Sequence, residues 1–197
     1  MLLPQLSVRL QTGADPRSYF SSAVDDVWLE VGFGAGEHLL WQAQHNPDIG
    51  LIGAEPYESG VAKLLSRIPD GAANICLHEG DARDIIEVLP DASIGRFFIL
   101  FPDPWPKMRH HKRRFIQLDM LDQLARILKL GAELRFATDD KSYLPYALER
   151  LMAHPQFAWT AESVADWTAR PADWPQTRYE AKAIKGPPTF LRFVRLG

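Results

Sequence analysis

The chain has 197 residues, 46% of them hydrophobic and 24% charged, with a formal net charge of −3, which suits one globular domain with a sizeable core and does not advertise a nucleic-acid binder. Nothing approaches 18 consecutive apolar residues, so no membrane span is expected, and Met1 to Leu10, with Pro4 and Arg9, lacks the long apolar h-region of a signal peptide. The one cysteine, Cys76, excludes an intramolecular disulfide and a cysteine-based metal cluster, fits a reducing cytoplasm, and reads as a buried inert thiol.

Residues 1–26 are polar, with Gly13, Pro16 and several Ser, and read as a loose arm with at most a short segment on the core. Over 27–197 a single domain is expected, in which apolar runs alternate with amphipathic ones. Strand 1 is expected at about 27–31 and its helix at 37–46, broken by Pro47-Asp48. Strand 2 follows at 51–54, a helix at 59–68, and a turn at Pro69-Asp70-Gly71. Strand 3 spans 74–78 and a short helix 84–89. Strand 4, Phe97 to Leu100, is apolar throughout, as a central parallel strand should be. After a long polar loop, 115–130 carries Leu118, Leu121, Leu124 and Leu128 at helical spacing. Strand 5 is expected at 133–137, a helix at 143–153, and last strands at 157–160 and 190–194 with an irregular basic insert between them. This alternation predicts an α/β fold: a mostly parallel central sheet with helices on both faces, and ligands beyond the carboxyl ends of its strands.

The chemistry gathers at those ends. After strand 1 comes Glu30-Val31-Gly32-Phe33-Gly34-Ala35-Gly36, a strand–glycine turn–helix pattern. Gly32, Gly34 and Gly36 let the backbone lie flat against a ligand. A dinucleotide site wants G-x-G-x-x-G, and its third glycine would fall on Glu37, so the pattern is G-x-G-x-G instead. The acid Glu30 suits a ligand with an ammonium or sulfonium charge. Glu55 closes strand 2, placed for both hydroxyls of a ribose; Asp81 ends strand 3, placed for an adenine amino group. Each has a bland reading too, Glu55 as a solvated helix-capping acid and Asp81 as an N-cap. Strand 4 ends in Phe101-Pro102-Asp103-Pro104-Trp105-Pro106-Lys107, where three prolines stiffen a loop presenting Asp103 beside Trp105, a pairing that suits a flipped nucleobase.

Residues 107–114 then hold five Lys/Arg and two His, read as a phosphate-contacting run, Arg109, His110, His111, Lys112, Arg113 and Arg114. His110 and His111 are adjacent, point apart and lack a third ligand, so no metal is expected. Strand 5 ends in Ala137-Thr138-Asp139-Asp140. Thr177-Arg178-Tyr179-Glu180 follows later, able to close over a substrate and equally a helix start with Thr177 as N-cap and Glu180 completing a capping box.

From about residue 27 the chain resembles the bacterial tRNA (guanine-N7)-methyltransferase family, whose fold is the Rossmann-like class I methyltransferase. The resemblance is carried by Glu30–Glu37, Glu55-Pro56-Tyr57-Glu58-Ser59-Gly60, Phe101–Arg114, Ala137-Thr138-Asp139 and Thr177–Lys182. It implies S-adenosylmethionine as methyl donor and, as acceptor, a guanine of the tRNA variable loop, position 46 of the tRNA. It also implies a donor site of Glu30, Gly32, Gly34, Gly36, Glu55, Asp81 and Asp103, with Asp103 the catalytic acid. Lys107, Asp139, Thr177, Arg178, Tyr179 and Glu180 would bind the substrate. Asp140 departs from the family pattern and leaves open which of Asp139 and Asp140 faces it. A cytoplasmic enzyme acting on tRNA without an obligate protein partner is expected. The Asp-Pro-Trp-Pro loop also resembles the [DN]-P-P-[FYW] loop of adenine-amine methyltransferases, minus its second proline. A non-catalytic RNA-binding subunit of the same fold is the other alternative.

Overall fold

In the computed structural model, which describes residues 6–8, 10–69, 72–182 and 185–197, seven strands among the described residues join in one sheet. They are β1 (Asp26–Val31), β2 (Ile49–Ala54), β3 (Ile75–His78), β4 (Ile94–Leu100), β5 (Leu128–Thr138), β6 (Phe157–Trp159) and β7 (Thr189–Arg195). The spatial order is β3-β2-β1-β4-β5-β7-β6. The first five are mutually parallel, and β7 lies antiparallel to both β5 and β6. The order reverses between β1 and β4, and at such a switch point the loops leaving neighbouring strands diverge and open a crevice.

Helices cover both faces. The strand period of two sends successive side chains to opposite sides. Val27, Leu29, Phe97 and Ile99 therefore join one apolar cluster while Trp28 and Phe98, one residue out of phase, join the other. The first cluster takes in α3 (Ala82–Val88), α4 (Leu118–Ile127) and α5 (Tyr143–Ala153) through Ile85, Leu121, Leu124, Tyr143 and Leu151. The second takes in α1 (Glu37–His45) and α2 (Glu58–Leu65) through Leu39, Ala43, Val61 and Leu64. Phe97 and Phe98 are both fully buried, one on each side. Burying each is worth about 1.5–3 kcal/mol relative to exposure.

Several boundaries differ from those expected: β2 and β4 begin earlier, at Ile49 and Ile94, and the helix after β2 ends at Leu65. The helix expected over 115–130 is α4 alone: Leu128 turns extended (φ −75°, ψ 135°) and begins β5, opposite Ile94. Leu128 satisfies a helical apolar period and a strand pairing equally, and the pairing wins because it adds ladder bonds beside an already paired β4. Leu118, assigned to the apolar stripe, is 57% exposed. The polar start of the chain is more firmly attached than its composition suggests. Val8 N donates to Leu77 O at 2.8 Å, Gly13 N donates to Val88 O at 2.9 Å, and Phe20 and Val24 join the core. Phe20 fills the space where a Cβ on Gly50 would lie 2.4 Å from its ring. Cys76 is buried; its thiol donates to Tyr19 O at 3.0 Å, and burial pushes it up to about 12.

The insert between β6 and β7 carries α6 (Ala165–Thr168) and α7 (Arg178–Lys182). It is anchored in its middle. Trp174 is buried against His38 and Phe190, and Asp173 accepts from buried Arg135 at 2.8 Å. This brings α7 over the carboxyl ends of β1 and β4.

Candidate active site

The crevice has two joined lobes. The first, about 440 Å³, is lined among others by Gly32, Gly34, Glu55, Asp81, Asp103 and Trp105. The second, about 370 Å³, is lined by Glu30, Glu37, His38, Thr177, Arg178 and Tyr179 among others. Gly32, Gly34, Leu100 and Phe101 line both. Each volume falls within the range of small-molecule sites, roughly 300–1,000 Å³.

The glycine turn after β1 works by absence. Gly32 and Gly34 sit at φ 68° and 56°, and a Cβ on either would meet nothing within 4 Å, so bare backbone faces the cleft. Gly36 has a different task from the one its motif implies. It lines neither lobe, caps α1 at φ 73°, and a Cβ there would lie 2.5 Å from Leu64 Cδ1. Gly36 thus lets α1 pack on α2 and does not border the cleft. Gly60, not singled out in the sequence, brings α2 close to the turn, since a Cβ would lie 2.6 Å from Gly34 O.

Glu55 is not a solvated cap. It is 4% exposed, and its two oxygens accept from Gly34 N at 2.8 Å and Tyr57 N at 3.0 Å. Each oxygen keeps a lone pair for a ligand. The carboxylate thereby staples the glycine turn to the start of α2 while bordering the first lobe. Asp81 does cap its helix, accepting from Arg83 N at 3.0 Å and pairing with the Arg83 side chain at 2.8 Å, and it borders the same lobe.

Glu30 is 2% exposed and lies 2.7 Å from His38 Nδ1. Gln42 Nε2 donates to Asp173 O at 2.8 Å, and Gln42 Oε1 accepts from Asn46 at 3.1 Å, which orients the amide. The same NH₂ faces His38 Nε2 at 3.1 Å. The imidazole Nε2 is then the acceptor, and Nδ1–H donates to Glu30. Glu30 therefore has one oxygen committed internally and reaches the second lobe with the other. Sequence reading missed His38 and Gln42. Their signal was polar residues spaced i, i+4 on the inward face of α1.

The 101–114 loop is shaped by more than its prolines. Phe101 and Trp105, on either side of Asp103, take φ 53° and 43°, conformations costly for side-chain-bearing residues. Asp103 is exposed, and no hydrogen bond or ion pair engages its carboxylate among the described residues. Holding the loop in place is Arg114, and here the structure corrects the sequence. Arg114 is 1% exposed. Its Nε donates to Pro104 O at 2.7 Å, its Nη2 to Ser142 Oγ at 3.1 Å, and its guanidinium lies over the rings of Tyr143 and Tyr146. It cannot face RNA. Lys107, Arg109, Lys112 and Arg113 are exposed, and Arg113 also lies over Trp105 at 4.8 Å. His110 packs on Trp105 and His111 on Tyr146. Among the described residues no group of three His, Cys, Asp or Glu is placed to hold a metal ion.

At the end of β5 the two acids separate. Asp140 accepts from Ser142 N, Ser142 Oγ and Tyr143 N, capping α5, and pairs with Lys185 at 2.8 Å. Asp139, 8% exposed, faces the Tyr179 hydroxyl at 3.5 Å. Burial, then the charges of Asp139 and Asp103, raises the Tyr179 pKa, so both acids lie in its field. Tyr179 stands 5.1 Å from the Phe101 ring. Thr177 Oγ1 accepts from Glu180 N at 3.2 Å as an N-cap, but Glu180 turns its carboxylate to Arg170 at 2.8 Å and leaves the capping box half made. Of the expected substrate residues, Thr177, Arg178 and Tyr179 border the second lobe, whereas Lys107, Asp139 and Glu180 line neither lobe.

A family described as "Putative methyltransferase" matches residues 25–190. A protein of Rhodospirillum rubrum named tRNA (guanine-N(7)-)-methyltransferase is 51% identical over 184 residues, 92% of this chain and 72% of its own length. One of the same name from Paramagnetospirillum magneticum is 48% identical over 200 residues, 98% of this chain and 84% of its own. Among solved structures, the 16S rRNA methyltransferase KamB superposes with a TM-score of 0.61 at 16% identity, covering 98% of both chains.

Proposed function

We infer, for a chain that belongs to the tRNA (guanine-N7)-methyltransferase family, that this two-lobed cleft transfers a methyl group to N7 of a guanine in tRNA, at position 46 of the variable loop, forming 7-methylguanosine. S-adenosylmethionine, the donor, supplies when bound an electrophilic methyl group on a sulfonium. The residues fit it: the bare backbone of Gly32 and Gly34 can lie against the donor, Glu55 offers acceptors for a ribose, Asp81 for an adenine amine, and Glu30 its uncommitted oxygen for an ammonium.

Guanine N7 has a free lone pair and carries no proton, so no general base is required, and positioning accounts for most of the rate. Phe101 and Tyr179, already in contact, would form one wall beside the base, and Asp103 would accept from its edge. Asp103 would also offset the positive charge that grows at N7 as the methyl arrives. Lys107, Arg109, Lys112 and Arg113 would meet phosphates of the surrounding RNA. The reaction as we read it needs no partner protein and takes place in the cytoplasm. One observation carries the reading: an acid without a partner among the described residues, on a loop that turns at positive φ on both sides of it, at the rim of the first lobe and within the field of Tyr179 in the second.

The test is incubation of the purified protein with methyl-labelled donor and unmodified tRNA transcript, followed by digestion and nucleoside chromatography. Label in 7-methylguanosine, lost when guanine 46 is replaced, is the expected result. Label on adenine or cytosine amino groups would move the enzyme to the amino-methylating class. Donor binding without any transfer would leave an RNA-binding subunit.

A further inference from the structure

Position 37 is where a dinucleotide motif would place its third glycine, and here it bears a carboxylate with partners on two other elements. Glu37 is the first residue of α1, immediately after the glycine turn. Its Oε2 accepts from the backbone N–H of Arg178 at 2.5 Å, and its Oε1 pairs with Arg178 Nε at 3.0 Å. Arg67, beyond α2, approaches the same oxygen at 3.5 Å while donating to Ala35 O at 3.3 Å. The Glu37 side chain is 19% exposed, against 78% for Arg178. Arg178 opens α7, whose next residue, Tyr179, walls the second lobe beside Phe101. The same segment is held further back by Trp174 against His38 and Phe190, by Asp173 on Arg135 and Gln42, and by the Arg170–Glu180 pair, but among these contacts only the Glu37 pair reaches the backbone of α7 itself. A glycine at position 37 would leave the first turn of α7 without this tie.

We propose that Glu37 is a positioning residue that couples donor and RNA: it fixes α7, and with it the Tyr179 wall of the second lobe, to the turn that receives the donor. This rests on the donor and guanine positions proposed above. A donor that orders the Gly32–Gly36 turn then also orders Thr177 to Tyr179, and an RNA that settles against Tyr179 steadies the donor turn. Such coupling is reciprocal, so tRNA and donor must tighten each other's binding by the same factor. A charged acceptor on a backbone amide contributes roughly one to two orders of magnitude in an equilibrium, which sets the size of the effect.

The experiment measures donor affinity by calorimetry with and without tRNA, tRNA affinity with and without S-adenosylhomocysteine, and single-turnover methylation, for the parent, Glu37→Ala and Glu37→Gln. For Glu37→Ala, donor affinity without RNA should stay within about threefold of the parent. The mutual tightening should vanish, and the single-turnover rate should fall roughly 10- to 100-fold. Glu37→Gln keeps an oxygen for the Arg178 amide and should recover at least half of the coupling on a logarithmic scale; it also carries the test if the alanine variant does not fold. A rate within twofold of the parent, or tightening that survives in Glu37→Ala, overturns the proposal. So does a loss of RNA-free donor affinity as large as the loss of rate, which would confine Glu37 to holding the donor turn. A parent that binds donor and tRNA but forms no 7-methylguanosine refutes the assigned reaction instead, and the coupling is still read from the binding data.

Discussion

Replacing Arg114 by Met keeps much of the side chain's length and removes the guanidinium, separating two roles that its place in a basic run confuses. Its partners are neutral: Pro104 O at 2.7 Å, Ser142 Oγ at 3.1 Å, Ser142 O at 3.4 Å, and the faces of Tyr143 and Tyr146 at 4.9 and 4.4 Å. The two shorter of its three hydrogen bonds contribute about 1.5–3 kcal/mol each, the long one to Ser142 O little, and each ring contact about 0.5–2 kcal/mol. Against this, burying the guanidinium costs several kcal/mol, and that cost disappears with it. No carboxylate is stranded by the change, so the net loss should be about 2–3 kcal/mol, a sizeable share of a typical 5–15 kcal/mol stability. Urea unfolding should show a lower midpoint at an unchanged m-value. Methylation should slow, because Pro104 loses its anchor next to Asp103, while the salt dependence of tRNA binding should not change. The paired control is Arg109→Ala/Lys112→Ala, on exposed residues. Its stability should stay within about 0.5 kcal/mol, and the log–log salt slope should flatten by roughly 0.7–0.9 for each phosphate no longer neutralised. If Arg114→Met unfolds at the parental midpoint and flattens the salt slope, the clamp reasoning fails and Arg114 meets RNA after all.

Asp103→Asn keeps size and part of the hydrogen bonding but removes the charge; single-turnover methylation should slow by roughly 10²–10³ with little change in tRNA affinity, and a rate within about threefold of the parent would exclude the charge role. Glu55→Ala should weaken donor binding by about 1.5–3 kcal/mol. Because two backbone amides lose their acceptor, it should also lower unfolding stability by about 1–3 kcal/mol; unchanged donor affinity would show that the carboxylate is a staple only. Asp140 supplies a pH signature. Burial pushes its carboxyl up, but hydrogen bonds from Lys185 and Ser142 outweigh that and hold it at about 2. A folded value below the unfolded one, about 3.9, means its contribution is complete well above pH 3.9 and is lost as pH falls through about 2. The denaturant-midpoint gap between parent and Asp140→Asn should therefore be constant from pH 7 to about 5 and shrink toward pH 2; a gap undiminished at pH 2 would contradict the assignment.

The alternation of strands and helices, the carboxyl-end crevice and most of the acids around it are legible along the chain. Those features are written in local patterns: apolar runs such as Phe97 to Leu100, glycines at Gly32 and Gly34, and an acid at the end of a strand at Glu30 or Glu55. A strand's carboxyl end and its side-chain period are marked by neighbouring residues, so for these reading along the chain was enough. Which face each residue meets was set by contacts between segments far apart in the chain. Arg114 and Arg113 are adjacent and chemically alike, yet one is buried under two tyrosines and the other is exposed. The difference lies in α5, some 28 residues further on, which brings Ser142 and Tyr146 to one of them. Gly36 fits the ligand motif and serves Leu64. Asp139 and Asp140 divide because α5 needs a cap and Asp140 sits where its first amides point. Leu128 begins a strand because β4 is there to pair with. In each case the deciding partner is distant in sequence, and residue type, which sets what a side chain can do, carries no record of what the fold brings against it.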